Sequence, residues 1–287
     1  MAAVATPRLA PIGAPIRTPV AFGVGWEAVG PTDGPPIVFL HGAVMTRAQW
    51  CLQIDRFAAA GYRCVSVDLP GHGELAGRSF TLDGAADHVI DVIDRAAGGR
   101  AVVVGLSLGG YTAMTVGGRS PERVRGLVLA GSTRDPSGPL NAAYWFIGTG
   151  LGTAPQPVLR SFMAWLWRRR YGREIAASLM ANGYFAKGGG AAILALQGGR
   201  FRERLRAYGG PVLVINGNLD LVFRLGEKRF LEGVRGVTRR RISWAAHLSN
   251  LDRPDDFSNA VEGFIQTLAP ELERYGGILP RHHQTPT

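Results

Sequence analysis

Gly105-Leu106-Ser107-Leu108-Gly109 lies between the apolar run Ala101-Val102-Val103-Val104 and the segment Gly110-Tyr111-Thr112-Ala113-Met114, which can continue as a helix. A serine with glycine two residues away on either side, where a buried strand gives way to a helix, calls for a very tight strand-to-helix turn. Such a turn strains the backbone of its central residue and pushes the hydroxyl out beyond the sheet edge. Side chains at the flanking positions would collide with the turn, which accounts for glycine at both. The helix that starts there aims its first amide groups at the same point, where negative charge can be stabilised. With 40 glycines in the chain, the pentapeptide gains weight only if a base, an acid and an anion-binding loop stand at matching places elsewhere.

The rest of the chain alternates short apolar runs with longer amphipathic ones, the rhythm of an α/β domain with a mainly parallel sheet. Val20 to Val29 reads as a strand or hairpin, and Ile37 to Leu40 as a buried strand that ends at His41-Gly42. A helix is expected over Thr46 to Ala60, closed by Gly61. The strand from Cys64 to Val67 runs into Asp68-Leu69-Pro70-Gly71-His72-Gly73. Apolar residues at helical spacing mark a helix over Leu82 to Ala97, and Val124 to Ala130 is a further strand. From Ser132 to Tyr208 no strand is evident; the spacing gives several helices and many glycines. Alternation returns with the strand Val212 to Ile215, a helix near Leu225 to Leu231, a strand near Val237 to Ile242 and a final helix from Pro254 to Leu268.

These motifs, in this order, resemble the α/β-hydrolase superfamily from about Ile37 to Leu268. The resemblance is carried by His41-Gly42, by Asp68 to Gly73, by the turn around Ser107, by Gly217-Asn218-Leu219-Asp220 and by His247, each at the end of an expected strand. It implies the α/β-hydrolase fold: a mostly parallel eight-stranded sheet flanked by helices, with the site at the carboxyl edge. Residues 20–131 and 209–270 would form the core and residues 132–208 a helical cap. Residues 1–19 would be a loose N-terminal arm and residues 276–287, with His282 and His283, a flexible tail. The implied chemistry is that of a serine esterase. Ser107 is the nucleophile, His247 the general base and Asp220 the acid that orients it, with Asp135 as a rival for the last role. The backbone amides of Ala43 and Leu108 form the oxyanion hole, with Val44 as a substitute for Ala43. Asp68 is assigned to buttressing the turn toward His72. Relatives usually carry glycine just before the histidine, where this chain has Ala246.

Serine at the turn, where relatives that open epoxides or displace halide place aspartate, favours acyl transfer to water. Carboxylic esters, thioesters and lactones of small molecules are the expected substrates, with no cofactor and no metal. The alternatives on the same residues are C–C bond hydrolysis and a cofactor-free haloperoxidase-like activity. Outside catalysis, a ligand receptor or scaffold of hydrolase fold is the remaining reading.

Composition sets outer bounds. The 287 residues suit one α/β domain with an insertion, and no run of apolar residues is long enough to span a bilayer. Cys51 and Cys64 make no C-x-x-C spacing and are expected as small buried hydrophobes, which with the lack of a signal-like segment points to a cytoplasmic protein. The formal net charge is +10, and within residues 160–206 ten basic residues face only Glu174 and Glu203. The aromatic stretch Phe162 to Trp167 runs directly into Arg168-Arg169-Arg170. A basic lip of this kind suits an anionic partner, an acidic lipid surface or an acyl carrier. No DNA- or RNA-binding motif accompanies the charge, so a nucleic-acid partner is not expected.

Overall fold

The computed structural model describes residues 19–268. The N-terminal arm and the C-terminal tail expected from the sequence fall outside those residues, apart from the boundary position Pro19. The chain opens with a hairpin, Ala21–Gly23 (β1) and Trp26–Val29 (β2), followed by Pro36–Leu40 (β3). A 3₁₀ turn over Arg47–Trp50 leads into Cys51–Ala59 (α1), and then come Arg63–Val67 (β4) and Leu82–Ala96 (α2). Ala101–Leu106 (β5), Leu108–Arg119 (α3) and Val124–Ala130 (β6) complete the first half. Five helices follow: Pro139–Thr153 (α4), Gln156–Tyr171 (α5), Arg173–Ala181 (α6), Ala186–Ala195 (α7) and Phe201–Tyr208 (α8). The chain then returns to the sheet as Val212–Gly217 (β7), Leu221–Phe230 (α9), Val237–Ile242 (β8), Ser249–Asp252 (α10) and Pro254–Thr267 (α11).

The eight strands form one sheet in the order β1-β2-β4-β3-β5-β6-β7-β8. The pairs β1/β2 and β2/β4 are antiparallel, and every pair from β4 to β8 is parallel. This is the α/β-hydrolase architecture expected from the motif order. The side-chain period of two explains why the central strands read as unbroken apolar runs: both faces are covered. Val38, Val103, Leu127 and Val214 point into one core, shared with α2, α3, α8 and α9. Their neighbours Phe39, Val104, Val128 and Ile215 point into the other, shared with Trp50 and α1 and α11. β8 closes one edge and carries exposed Arg239, Arg240 and Arg241, charges that discourage pairing with another chain.

The five helices between β6 and β7 do not all belong to one layer. Phe201, Leu205 and Tyr208 of α8 lie in the first core, and α3 meets this helix through Gly117 and Gly118. A Cβ at Gly118 would lie 2.9 Å from the Arg204 carbonyl oxygen. The other four stand at the carboxyl ends of the strands. There α7 presents Gly188, Gly189 and Gly190 to its neighbours. A Cβ at Gly188 would lie 2.0 Å from Gly71 O, one at Gly189 2.6 Å from Val44 N, and one at Gly190 2.4 Å from Gly148 O on α4. These glycines sit inside a helix because three other backbones touch it there; the usual helical penalty of about 1 kcal/mol each is offset by that contact. Trp167, Ala176 and Leu179 of α5 and α6 pack on Met45 and Leu251 in a third, smaller cluster. No helix among the described residues is long and apolar enough to cross a membrane.

Candidate active site

Ser107 occupies the turn between β5 and α3 with φ 54° and ψ −114°. A non-glycine residue at such a φ is strained, by an amount on the order of 1–3 kcal/mol. What holds it there is local. Its N–H donates to Ala130 O at 2.8 Å, and its C=O accepts from Tyr111 N–H at 3.1 Å. The flanking glycines are required by contact: a Cβ at Gly105 would lie 2.3 Å from Gly109 O, and one at Gly109 would lie 2.1 Å from Leu40 O. In both cases the obstacle is backbone, so a methyl group fits neither position without moving the turn. The same close approach presses the first turn of α3, which brings in the Leu108 amide, against the Leu40-His41 backbone that leads into Ala43 and its amide. Among the described residues no acceptor pairs with either amide.

Asp220 follows β7 and His247 follows β8, and the two loops are tied together. Leu219 N–H donates to Ala245 O and Asn218 N–H to Ile242 O, each at 2.9 Å. Gly217 is fixed by this approach, since a Cβ there would lie 2.2 Å from Ala245 O. Asp220 is buried, and its Oδ2 is 2.8 Å from His247 Nδ1. The imidazole side chain is 39% exposed and stacks on Phe223, ring centroids 5.1 Å apart. With Nδ1 turned to the carboxylate, Nε2 is the nitrogen left to face a reacting group. The ring stands beside Gly131, the residue after the Ala130 carbonyl that holds Ser107. A Cβ at Gly131, whose φ is 54°, would lie 2.9 Å from His247 Nδ1 and Cε1 and 3.4 Å from Asp220 Oδ2. The ends of β5, β6, β7 and β8 thus bring serine, imidazole and carboxylate to one corner of the sheet.

Asp135, the rival acid, is engaged elsewhere. Its Oδ1 accepts from Phe201 N–H at 2.8 Å and Arg202 N–H at 3.1 Å, satisfying two of the first amides of α8. Asp68 is fully buried and buttresses its turn. It accepts from Arg47 N–H at 2.8 Å and Glu74 N–H at 3.2 Å, and it pairs with the Arg47 guanidinium. Three further residues support the site. Gly131 leaves room for the imidazole. Asn216 donates to Thr133 Oγ1 at 3.0 Å and Glu227 Oε2 at 2.7 Å, which fixes the base of the Asp220 loop. Asp252 accepts from Ala246 N–H at 2.7 Å and from Tyr171 O–H at 2.8 Å, so it joins the His247 loop to the end of α5. The glycine after β6 is the one signal that pattern reading had available; the other two act through folded contacts alone.

His41 and His72 are structural. His41 donates from Nδ1 to Gly42 O at 2.8 Å and accepts at Nε2 from Leu69 N–H at 2.9 Å. Both nitrogens are thus committed to the neutral ring, and burial lowers its pKa from 6.5 to about 4. The His72 ring lies 4.9 Å from it, with Nδ1 3.0 Å from Pro70 O. Burial first, and then the neighbouring His41, lower its pKa to about 3. Because the folded values lie below the unfolded one, the unfolded chain binds protons that the folded chain refuses. Stability is therefore full above pH 6.5 and falls as the pH drops toward 4. Each ring should cost about 2 kcal/mol at pH 5 relative to pH 7.5. Urea titrations at the two pH values measure the loss, and His72→Gln should remove about half of it. Equal stability at both pH values would refute this reading.

Among the described residues no group of His, Cys, Asp or Glu is arranged to hold a metal ion, and Cys51 and Cys64 form no disulfide. A cavity of about 380 Å³ lies at the opposite, amino end of the sheet, lined in part by Pro36, Arg63 and Ala97. It is remote from Ser107 and takes no part in the site.

A strained serine between strand and helix, beside an imidazole–carboxylate pair on the last two strand ends, marks the hydrolase class of open α/β sheets. The sequence pattern of the alpha/beta hydrolase family matches residues 37–260, and the chain belongs to that family as an α/β-hydrolase enzyme. It is 25% identical to 3-oxoadipate enol-lactonase 1 of Acinetobacter baylyi over 258 residues, which covers 83% of this chain and 91% of that protein. Over 101 residues it is 41% identical to the pimeloyl-[acyl-carrier protein] methyl ester esterase of Nitrosomonas europaea, covering 35% of this chain and 38% of the other. Among solved structures, a thermophilic esterase from Thermogutta terrifontis superposes with a TM-score of 0.71 at 20% identity, covering 85% of this chain and 93% of that one. That likeness is one of fold.

Proposed function

We propose that the protein hydrolyses a carboxylic ester, thioester or lactone of a small molecule through an acyl-enzyme on Ser107. In the first half-reaction His247 Nε2 takes the hydroxyl proton as Ser107 Oγ attacks the acyl carbonyl carbon. The carbonyl oxygen becomes an oxyanion held by the Ala43 and Leu108 amides. Collapse breaks the bond to the leaving group, which receives the proton from His247. In the second half-reaction His247 removes a proton from water, the water attacks the acyl carbon, and the acid leaves as Ser107 regains its proton. Asp220 fixes the ring tautomer and stabilises its charged form. Helices α4 to α7 form the cap over the site.

The observation that carries this reading is the 2.8 Å His247–Asp220 pair set against Gly131, one residue from the carbonyl that holds Ser107. The two relatives described above are named for a lactone and for a methyl ester, and the proposed reaction attacks the acyl carbonyl that such substrates share. A fluorophosphonate probe tests it. One probe per chain is expected on the Ser107 peptide, with the rate of labelling falling at least a hundredfold in His247→Gln. Labelling of another serine, or none, would overturn the proposal.

A further inference from the structure

Helix α5 turns its apolar side in two directions. Trp167 is buried against Met45, Ala176 and Leu179. On the opposite side Val158, Phe162 and Trp165 recur at intervals of four and three residues and are 64%, 54% and 49% exposed. That spacing makes one stripe along the helix. The Phe162 and Trp165 rings stack with centroids 5.9 Å apart, and one turn further the Arg169 guanidinium sits 5.7 Å from the Trp165 ring. Arg168 flanks the stripe. Between Asp135 and Glu174 the chain has five arginines and no acidic residue. Among the described residues Arg160, Arg168 and Arg169 have no carboxylate partner; Arg170 pairs with Asp252. Helix α4, in the same acid-free stretch, exposes Trp145, Phe146 and Ile147.

We propose that α5 docks the protein on an anionic lipid bilayer, with the Val158-Phe162-Trp165 stripe entering the headgroup boundary and Arg168 and Arg169 meeting the lipid charges. Tryptophan beside arginine on an exposed helical face is the chemistry of the membrane interface, where one end of the ring is apolar and the other wet. Charge favours this occupant over two others. A second copy placed symmetrically on the stripe would set two arginine-bearing helices face to face, with no acidic residue on either to offset their charge. Residues 1–18 carry Arg8 and Arg17 and no acidic residue, so they repeat the charge they would have to cover. The proposal does not depend on the reactivity of Ser107.

Vesicle sedimentation of the full chain tests it, comparing pure phosphatidylcholine with vesicles of roughly one-third phosphatidylglycerol. Partitioning onto the anionic vesicles should exceed that onto neutral ones at least tenfold and should weaken with salt. Phe162→Ser/Trp165→Ser should abolish it while the melting temperature holds, because both side chains are exposed. Arg168→Gln/Arg169→Gln should weaken it about thirtyfold. Arg240→Gln/Arg241→Gln removes the same charge from the exposed edge strand β8 and should leave partitioning within about twofold. Equal binding to both vesicle types, or an equal loss in the β8 variant, would overturn the proposal. So would a concentration-dependent dimer that the Phe162→Ser/Trp165→Ser change dissolves in the absence of vesicle binding.

Discussion

Ser107→Ala should lower turnover of a short p-nitrophenyl ester by about a millionfold, the scale on which loss of a triad serine acts. The residual rate, about 10³–10⁴ above water, would come from the oxyanion donors and from binding alone. The argument starts from the backbone. A hydroxyl is a weak nucleophile, and this one is held at φ 54° on a turn whose N–H and C=O are both engaged, the C=O by the first turn of α3. Alanine keeps that geometry and removes only the oxygen, so stability should change by less than about 1 kcal/mol. Ser107→Gly should be equally inactive and yet more stable by about 1 kcal/mol, because glycine relieves the positive φ. Initial rates together with urea midpoints separate the two effects. Turnover retained in both variants would remove Ser107 from the chemistry.

The sheet was legible because its central strands are apolar on both faces and each ends in a turn with its own residue requirement. The strand expected near Val237 to Ile242 forms over Val237–Ile242 even though Arg239, Arg240 and Arg241 make it polar; as an edge strand it can leave those side chains in water. Two helices differ from the expectation, for physical reasons. The expected helix over Thr46 to Ala60 divides into a 3₁₀ turn and α1, because Arg47 N–H and the Arg47 guanidinium are both drawn to Asp68, a contact between distant residues. The helix expected near Leu225 begins at Leu221, directly after Asp220. Leu221, Val222 and Leu225 are exposed, so the apolar residues there do not trace the buried face, which is formed by Phe223, Glu227 and Phe230.

The candidate site divides along the same line. The turn glycines, Asp220 and His247 stand at strand ends, where a residue's place in the chain fixes its place in space. The supports do not. Nothing near Asp252 in sequence indicates that one of its oxygens accepts from Tyr171 on α5 and the other from Ala246 before the histidine. Nor does the glycine triplet of α7 declare itself as a contact surface, since glycine in sequence signals a loop as readily as a close helix approach. Gly188, Gly189 and Gly190 acquire meaning only once Gly71, Val44 and Gly148 are seen against them.

Asp220→Asn should lower kcat by about 10⁴, the cost known for removing the orienting acid of a serine triad while keeping its shape. The amide is isosteric, but its NH₂ group can face the imidazole and hold the tautomer that carries its proton on Nε2. That nitrogen must be unprotonated to accept from the serine. KM should change little, because the carboxylate is buried behind the ring and His247 lies between it and any substrate. Asp135→Ala makes the opposite experiment. Its carboxylate serves the Phe201 and Arg202 amides, so the loss should be about 1 kcal/mol of stability, with kcat within about twofold of the parent. Steady-state kinetics and thermal unfolding of the pair therefore decide which carboxylate orients the base. If Asp135→Ala were the inactive variant and Asp220→Asn the active one, the acid would have to reach His247 from the β6 side, and the 2.8 Å pair in the folded structure would be a bystander.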